Sequence, residues 1–288
     1  MHNNDSMRSS KTQIKKQYYK TDLFEDICKK LEQQGVDLNK VSRSDISGVD
    51  EFHVRGAAVS NELVQEIYLK DAKVLDVGCG LGGPSRMLAD QFNCQVTGID
   101  LCEEYVSTAH KLSELVGLSG QTEFVHGDAL NLPFKDGSFD IVWTQHVQLN
   151  IENKTKFYSE IKRVLNEEGA LVYYDIFKKD DKDINYPVPW ANNASINFLE
   201  TIPFVDNLLN NLGFTQLQIS DQTYKAKQFL INSFEEIQKN GMPKLGLNVL
   251  MGNSTKKKLN NILKGIEENK IELQSGIYRN KSVFDNNN

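Results

Sequence analysis

The stretch "LDVGCGLGGPSRML", residues 75–88, carries glycine at 78, 80, 82 and 83 between an apolar run and a helix-like segment. Backbone that bare bends tightly and lets peptide N–H groups approach a ligand, and Pro84 suits the first helical turn, where a missing N–H costs nothing. Gly78, Gly80 and Gly83 satisfy GxGxxG, and Gly78, Gly80 and Gly82 satisfy GxGxG, so the turn alone fits more than one nucleoside-bearing ligand. Asp100 ends "QVTGID", 22 residues past Gly78. A carboxylate there can accept both hydroxyls of a ribose, and it can also cap the helix that follows. In "FVHGDALNLPF", Asp128 can accept the exocyclic amine of adenine while the next N–H, that of Ala129, donates to a ring nitrogen.

These groups have to be positioned by regular elements, and the pattern around them alternates strand and helix for about a hundred residues. Strands are expected at 73–77, 95–99, 123–126, 139–144 and 170–176, with helices around 83–92, 103–116 and 152–165. Gly169 in "NEEGA" is expected to close the last of these helices. Upstream, Leu23, Ile27 and Leu31 place one apolar stripe on a helix from about 12 to 31, "NKVSRSDISGVDEF" breaks it, and a second helix runs from about 57 to 69. Downstream, the polar, proline-bearing "KKDDKDINYPVPW" is too long for a routine turn and is expected to cover a site. Helices at 201–212, 222–240 and 254–269 and strands at 214–220 and 272–278 would complete a sheet of seven, the last strand antiparallel.

With 288 residues, 39% hydrophobic and 25% charged, the chain can bury a sizeable core. Its net charge of −6 offers no basic surface for a phosphate backbone, so no nucleic acid is expected as partner, and Lys256, Lys257 and Lys258 read as a solvated helix face. No apolar run approaches the length of a membrane span, so no membrane is expected as partner either, and no signal sequence is recognisable. Four cysteines without a CxxC pair argue against a disulfide framework or a metal site and for reduced thiols in a cytoplasmic protein.

Taken together, "VLDVGCGLGG", "VTGIDL", "GDALNLPF", "SFDIVW" and "VLNEEGAL" resemble class I S-adenosylmethionine-dependent methyltransferases over roughly residues 55–220. The resemblance implies a Rossmann-like α/β fold with strand order 3-2-1-4-5-7-6 and S-adenosylmethionine along the carboxyl ends of the first four strands. It places Gly78 and Gly80 beneath the methionine end, Asp100 on the ribose with Leu101 flanking the adenine, Asp128 and Ala129 on the adenine edge, and Gln145 where backbone meets the amino acid group. The organisation expected is an N-terminal tail and helical cap over 1–55 and a methyltransferase domain over 56–288, with a substrate-covering insertion at about 177–200.

Methyl transfer requires a nucleophile held about 3 Å from the methyl, deprotonated and dry. The acceptor is expected to be a small molecule. "WTQHVQLN", 143–150, supplies His146 as the catalytic candidate and Gln148 and Asn150 as hydrogen-bonding candidates, although His146 can equally satisfy a buried backbone group. "SGVDEFHVRGAA" and "YYKTDLFEDICKKL" resemble a subgroup containing sarcosine and dimethylglycine N-methyltransferases, which implies an amine acceptor. Tyr18, Tyr19, Phe52, His53 and Trp190 are then candidate substrate contacts, the rings through cation–π stabilisation, and Arg55 or Lys178 could pair an acceptor carboxylate. The departure from phosphoethanolamine-type enzymes, which resemble this chain but carry histidine where Asn150 stands, leaves the acceptor open. O- or C-methylation of a quinol, phenol or sterol-like molecule is the alternative; an NAD-dependent oxidoreductase and a non-catalytic cofactor sensor come further behind.

Overall fold

β-Strands at the centre of a parallel sheet are buried on both faces, and this chain shows it in its apolar runs. Val74 packs with Met87 and Trp143 on one face, while Leu75 and Val77 pack with Phe157 and Leu171 on the other. The computed structural model describes residues 2–280. Seven strands, β1 (Lys73–Val77), β2 (Gln95–Asp100), β3 (Thr122–His126), β4 (Phe139–Gln145), β5 (Leu165–Lys178), β6 (Phe214–Asp221) and β7 (Ile271–Asn280), form one sheet in the order 3-2-1-4-5-7-6. Strands β1 to β5 run parallel, and β7 lies antiparallel between β5 and β6. Because β1 sits between β2 and β4, the winding reverses there and opens a crevice at the carboxyl ends of those strands.

The crossover helices α5 (Gly83–Phe92), α6 (Glu103–Leu115) and α7 (Lys154–Val164) follow the expected spacing. Beyond β5 come α8 (Ile202–Asn211), α9 (Thr223–Asn240), α10 (Asn248–Met251) and α11 (Thr255–Glu267). Thr201 caps α8, its side chain accepting from the Phe204 N–H.

Four helices precede β1: α1 (His2–Tyr18), α2 (Leu23–Glu32) and α3 (Arg43–Asp50) within the span expected as a cap, and α4 (Ala57–Leu63) beyond it. The single helix expected from 12 to 31 is broken, with Asp22 in the left-handed region at φ 53° between α1 and α2, and α1 reaches back to His2 through the expected tail. The expected break at "NKVSRSDISGVDEF" contains α3 instead, started by a capping box in which Asp45 accepts from the Ser42 N–H at 2.8 Å. Arg86 on α5, fully buried, donates to the Asp50 carboxylate at 2.9 Å and ties α3 to the sheet domain; removing one partner of such a pair costs about 3–5 kcal/mol. The helix expected to reach Leu69 stops at Leu63. Gly169 closes no helix: α7 ends at Val164 and the chain becomes extended at once. A Cβ on Gly169 would lie 2.9 Å from the Asp140 carbonyl oxygen, so close strand approach accounts for this glycine. Of the three lysines expected on a solvated face, Lys258 is buried.

Candidate functional site

The crevice at the switch point is a cavity of about 150 Å³ closed above by α1 and the segment at Pro189–Trp190. Its floor is the glycine turn. Gly78 and Gly80 have φ of 72° and 54° and both line the cavity; a Cβ on Gly80 would meet nothing within 4 Å, whereas one on Gly78 would strike Val147 at 2.3 Å. Gly83 serves a different end, since a Cβ there would lie 2.4 Å from the Asp50 carbonyl oxygen, where α3 rests on α5. The third glycine of the motif therefore permits cap docking.

Asp100 turns its carboxylate back to the turn, accepting from the Gly80 N–H at 3.0 Å and the Cys102 N–H at 2.8 Å. Burial raises its pKa while those two backbone donors pull it back down. Asp100 lines the cavity beside Leu101. Asp128 and Ala129 line the same cavity from the end of β3. Asp128 accepts from the Leu130 N–H at 2.9 Å and forms a 2.5 Å ion pair with Lys11 of α1, a partner the motifs did not announce. Asp76, inside β1 between Leu75 and Val77, also lines the cavity, and burial lifts its pKa to about 7 against a hydrogen bond from Ser85. Cys79 lines it too, with its thiol pushed well up by burial, which removes it as a thiolate nucleophile.

A second cavity of about 670 Å³ adjoins the first, walled largely by the apolar faces of α9, α10 and α11, including Phe229, Leu230, Met251, Leu259 and Ile262. Phe52, His53, His146, Pro189 and Trp190 line both cavities and so frame a window between them. His146 follows β4 in the left-handed region at φ 54°, a strained position for a non-glycine residue, with its N–H donating to the Tyr174 carbonyl at 2.8 Å. Its Nε2 is buried and has no hydrogen-bond partner. Burial, then the neighbouring His53, hold its pKa well below the usual histidine range, so the ring is neutral at physiological pH. His53, 6.0 Å away between ring centroids, is pulled down to about 4 by burial. Its Nε2 donates to the Gly56 carbonyl at 3.0 Å, which leaves Nδ1 as the acceptor nitrogen. Behind it, burial raises Glu51 to about 8, with the carboxylate 3.3 Å from His53 Nε2 and from Ser60 Oγ.

The expected contacts divide clearly. Tyr18, Phe52, His53, Gln145, His146, Asn150 and Trp190 all line the first cavity. Gln145 commits its side chain to a buried network, accepting from Trp143 Nε1 at 2.9 Å and donating to Ser60 Oγ at 3.2 Å. Asn150 is a clasp, not a free donor: it accepts from the Tyr18 hydroxyl at 2.7 Å and donates to the Trp190 and Ile196 carbonyls, joining α1 to the covering segment. Tyr19, 62% exposed, lies just past the end of α1 and lines neither cavity. Gln148 lines neither cavity; it is 1% exposed and donates its amide to the Ile176 carbonyl. Arg55 is tied to Glu62 and Gln222, and Lys178 to Asp181, so neither cation reaches the cavities. Sequence reasoning passed over Asp76, Lys11, Glu51 and the α9–α11 wall. Only Asp76, an acid inside a buried strand beside the glycine turn, carried a signal.

Among the described residues no group of His, Cys, Asp and Glu could hold a metal, and no helix is long and apolar enough to cross a membrane. Residues 75–173 match the family described as "Methyltransferase domain". The chain is 28% identical over 155 residues to a sarcosine/dimethylglycine N-methyltransferase of Halorhodospira halochloris, covering 54% of this chain and 56% of that one. It is 40% identical over 114 residues to a sterol 24-C-methyltransferase of Gibberella zeae, covering 38% of this chain and 30% of that one. It thus spans between 30% and 56% of the length of these two curated relatives. In architecture it is similar to a putative sarcosine dimethylglycine methyltransferase from Galdieria sulphuraria, with a TM-score of 0.61 at 20% identity over 78% of this chain and 86% of that one.

Proposed function

We propose that this chain, which carries a class I S-adenosylmethionine-dependent methyltransferase domain, moves a methyl group from S-adenosylmethionine to an apolar small molecule bearing a hydroxyl or an electron-rich carbon, of the quinol, phenol or sterol-like class. The observation that carries the choice of acceptor is the window: five residues shared between the cleft and a mostly apolar chamber more than four times its volume. A molecule as small as sarcosine leaves such a chamber nearly unfilled, and the two cations expected to pair its carboxylate are already engaged. N-methylation of an amine is the second reading, favoured by the Phe52 and Trp190 rings at the window.

The residues of the cleft fit the cofactor. Asp100 can accept from ribose hydroxyls, Asp128 and the Ala129 N–H can read adenine, Gly80 leaves the floor open, and the buried acid Asp76 also lines the cavity. When bound, S-adenosylmethionine supplies a sulfonium-activated methyl. The chain's own work is then to exclude water and move a proton. Phe52, Pro189 and Trp190 frame the window with apolar surface, and the Tyr18–Asn150 clasp holds the cover in place. His146 Nε2, neutral, buried and unpartnered, takes the proton of an acceptor hydroxyl. Four free thiols fit a reducing, cytoplasmic setting.

Transfer of labelled methyl from S-adenosylmethionine to a panel of quinols, phenols, sterols, sarcosine and dimethylglycine tests the reading. Label in the apolar acceptors is expected; label confined to the amines would overturn it in favour of the second.

A further inference from the structure

Helix α1 has little apolar surface to hold it. Of its side chains described, at residues 10–18, Ile14 alone is buried. The rest of its hold is polar. Lys11, Ile14, Lys15 and Tyr18 recur at helical spacing and so share one stripe. Along it Lys11 pairs with Asp128, Lys15 Nζ stands 3.4 Å from His126 Nε2, and Tyr18 donates to Asn150. Gln13 and Gln17, four residues apart on the adjoining stripe, meet the covering segment: the Ser195 hydroxyl donates to Gln13 at 2.5 Å, and Gln17 donates to the Pro189 carbonyl at 3.0 Å. One helix is thus strapped both to the end of β3 and to the cover. An element held by a few polar ties opens more readily than one packed into a core.

Two observations set this position of α1 against a bound nucleoside. Asp128 has both carboxylate oxygens engaged, Oδ1 accepting from the Leu130 N–H at 2.9 Å and Oδ2 from Lys11 Nζ at 2.5 Å. The exocyclic amine of adenine is a neutral donor, and a bond from an ammonium to a carboxylate is about twice as strong as a neutral one. Adenine therefore gains Oδ2 at full strength only once Lys11 leaves. The cleft itself, about 150 Å³ with α1 above it, is smaller than the roughly 300–1,000 Å³ of pockets that hold ligands of drug size. S-adenosylmethionine is a ligand of that size, and Ile14, Lys15 and Tyr18 line the cleft, so α1 has to lift to admit it.

We propose that Lys11 latches the closed cleft: paired with Asp128 it competes with the adenine amine, and its displacement by the nucleoside lifts α1 and loosens the cover over the chamber. The latch rests on the cofactor reading of the cleft, in which Asp128 is the adenine acid. Linkage makes the effect reciprocal, because the factor by which a bound nucleoside weakens the Lys11–Asp128 pair is the factor by which the pair weakens nucleoside binding. The two side chains are 35% and 29% exposed, so the pair is a brake of roughly a few-fold in affinity and not a block. It also fixes the sign of the salt dependence. Salt screens the competing pair, while a ligand of zero net charge draws nothing from long-range attraction, so added salt strengthens binding.

The test is isothermal titration of the full chain with S-adenosylhomocysteine at low and at high salt, in the wild type, Lys11→Met and Asp128→Asn, with hydrogen–deuterium exchange of residues 11–18 in each ligand-free protein. At low salt Lys11→Met is expected to bind about threefold tighter than the wild type. Wild-type affinity should rise with salt and that of Lys11→Met stay flat. Residues 11–18 should exchange faster in both variants than in the wild type. Asp128→Asn removes the latch and the charged acceptor together, so it should bind at least about tenfold more weakly than Lys11→Met. Binding by Lys11→Met no tighter than the wild type's, or exchange unchanged in that variant, would overturn the latch and leave the cofactor reading standing. Equal binding by Asp128→Asn and Lys11→Met would overturn Asp128 as the adenine acid, and the competition with it. Absence of binding in all three would overturn the cofactor reading itself and the latch along with it.

Discussion

The cleft and the chamber meet at one window yet are built in different ways. The cleft is a product of strand ends: Gly78, Gly80, Asp100, Asp128 and His146 all stand where β1 to β4 stop, and the register of a parallel sheet fixes them together. The chamber is assembled from the cap at Phe52–Val54, the cover at Pro189–Trp190 and the inner faces of α9, α10 and α11. The ends of β1, β2 and β4 are held by backbone pairing on both sides, and that of the edge strand β3 by pairing with β2. A helical wall is held by side-chain packing, so its shape depends on the identities of many residues. The cleft proposed for the cofactor thus sits on the stiff half of the molecule, and the chamber proposed for the acceptor on the half that substitution can reshape.

Replacing His146, which belongs to both regions, should have the largest effect. His146→Ala is expected to lower turnover on an apolar hydroxyl acceptor by about 100-fold or more while S-adenosylhomocysteine affinity changes little; equal loss of both would make the histidine a packing residue. Asp100→Ala should strike the cleft alone, weakening S-adenosylhomocysteine binding in calorimetry by about 1.5–3 kcal/mol with the acceptor KM at saturating donor unchanged. Ser233→Trp on α9 should do the opposite, narrowing the chamber it lines and lowering kcat/KM for bulky acceptors by about tenfold, with cofactor affinity intact. Coupled losses in either variant would show that the two regions are not separable.

The smallest effect concerns the support behind the window. Glu51 has a folded pKa raised to about 8 by burial. Between the unfolded value, near 4.3 in model peptides, and 8, the folded state keeps a proton that the unfolded state has lost. Stability therefore falls as pH rises through that window. Glu51→Gln, which keeps the neutral shape, removes this slope. Its melting temperature should match the wild type near pH 5 and exceed it at pH 8, by the equivalent of more than about 1 kcal/mol. Parallel pH profiles would mean that Glu51 is ionised in the folded chain.

The lining of the cleft was legible because the glycine turn, Asp100 and Asp128 stand at successive strand ends that the strand–helix alternation marks, and they line one cavity. The alternation of strand and helix indicated a parallel sheet, whereas the order of its strands came only from the resemblance to the methyltransferases. The cap was less so: "SRSD" is a helix start, but its short apolar face hid α3 among turn-forming residues, and the break at Asp22 depends on a left-handed residue that no pattern of hydrophobicity records. Tyr19 and Gln148 were misplaced because residue type marks what a side chain can do, not which way its element turns it. Nothing in 229–262 distinguishes a chamber wall from an ordinary amphipathic helix, since both show apolar residues at helical spacing. The 177–200 connection was readable as a cover, whereas the Tyr18–Asn150–Trp190 clasp required the three-dimensional contact.

The central claim, that nucleoside and acceptor occupy adjoining spaces joined at the five-residue window, is tested most directly by a crystal structure with S-adenosylhomocysteine. The adenosine should lie between Asp100 and Asp128, with the sulfur facing His146, Phe52 and Trp190. Adenosine bound elsewhere, or a sulfur turned away from that window, would contradict the account.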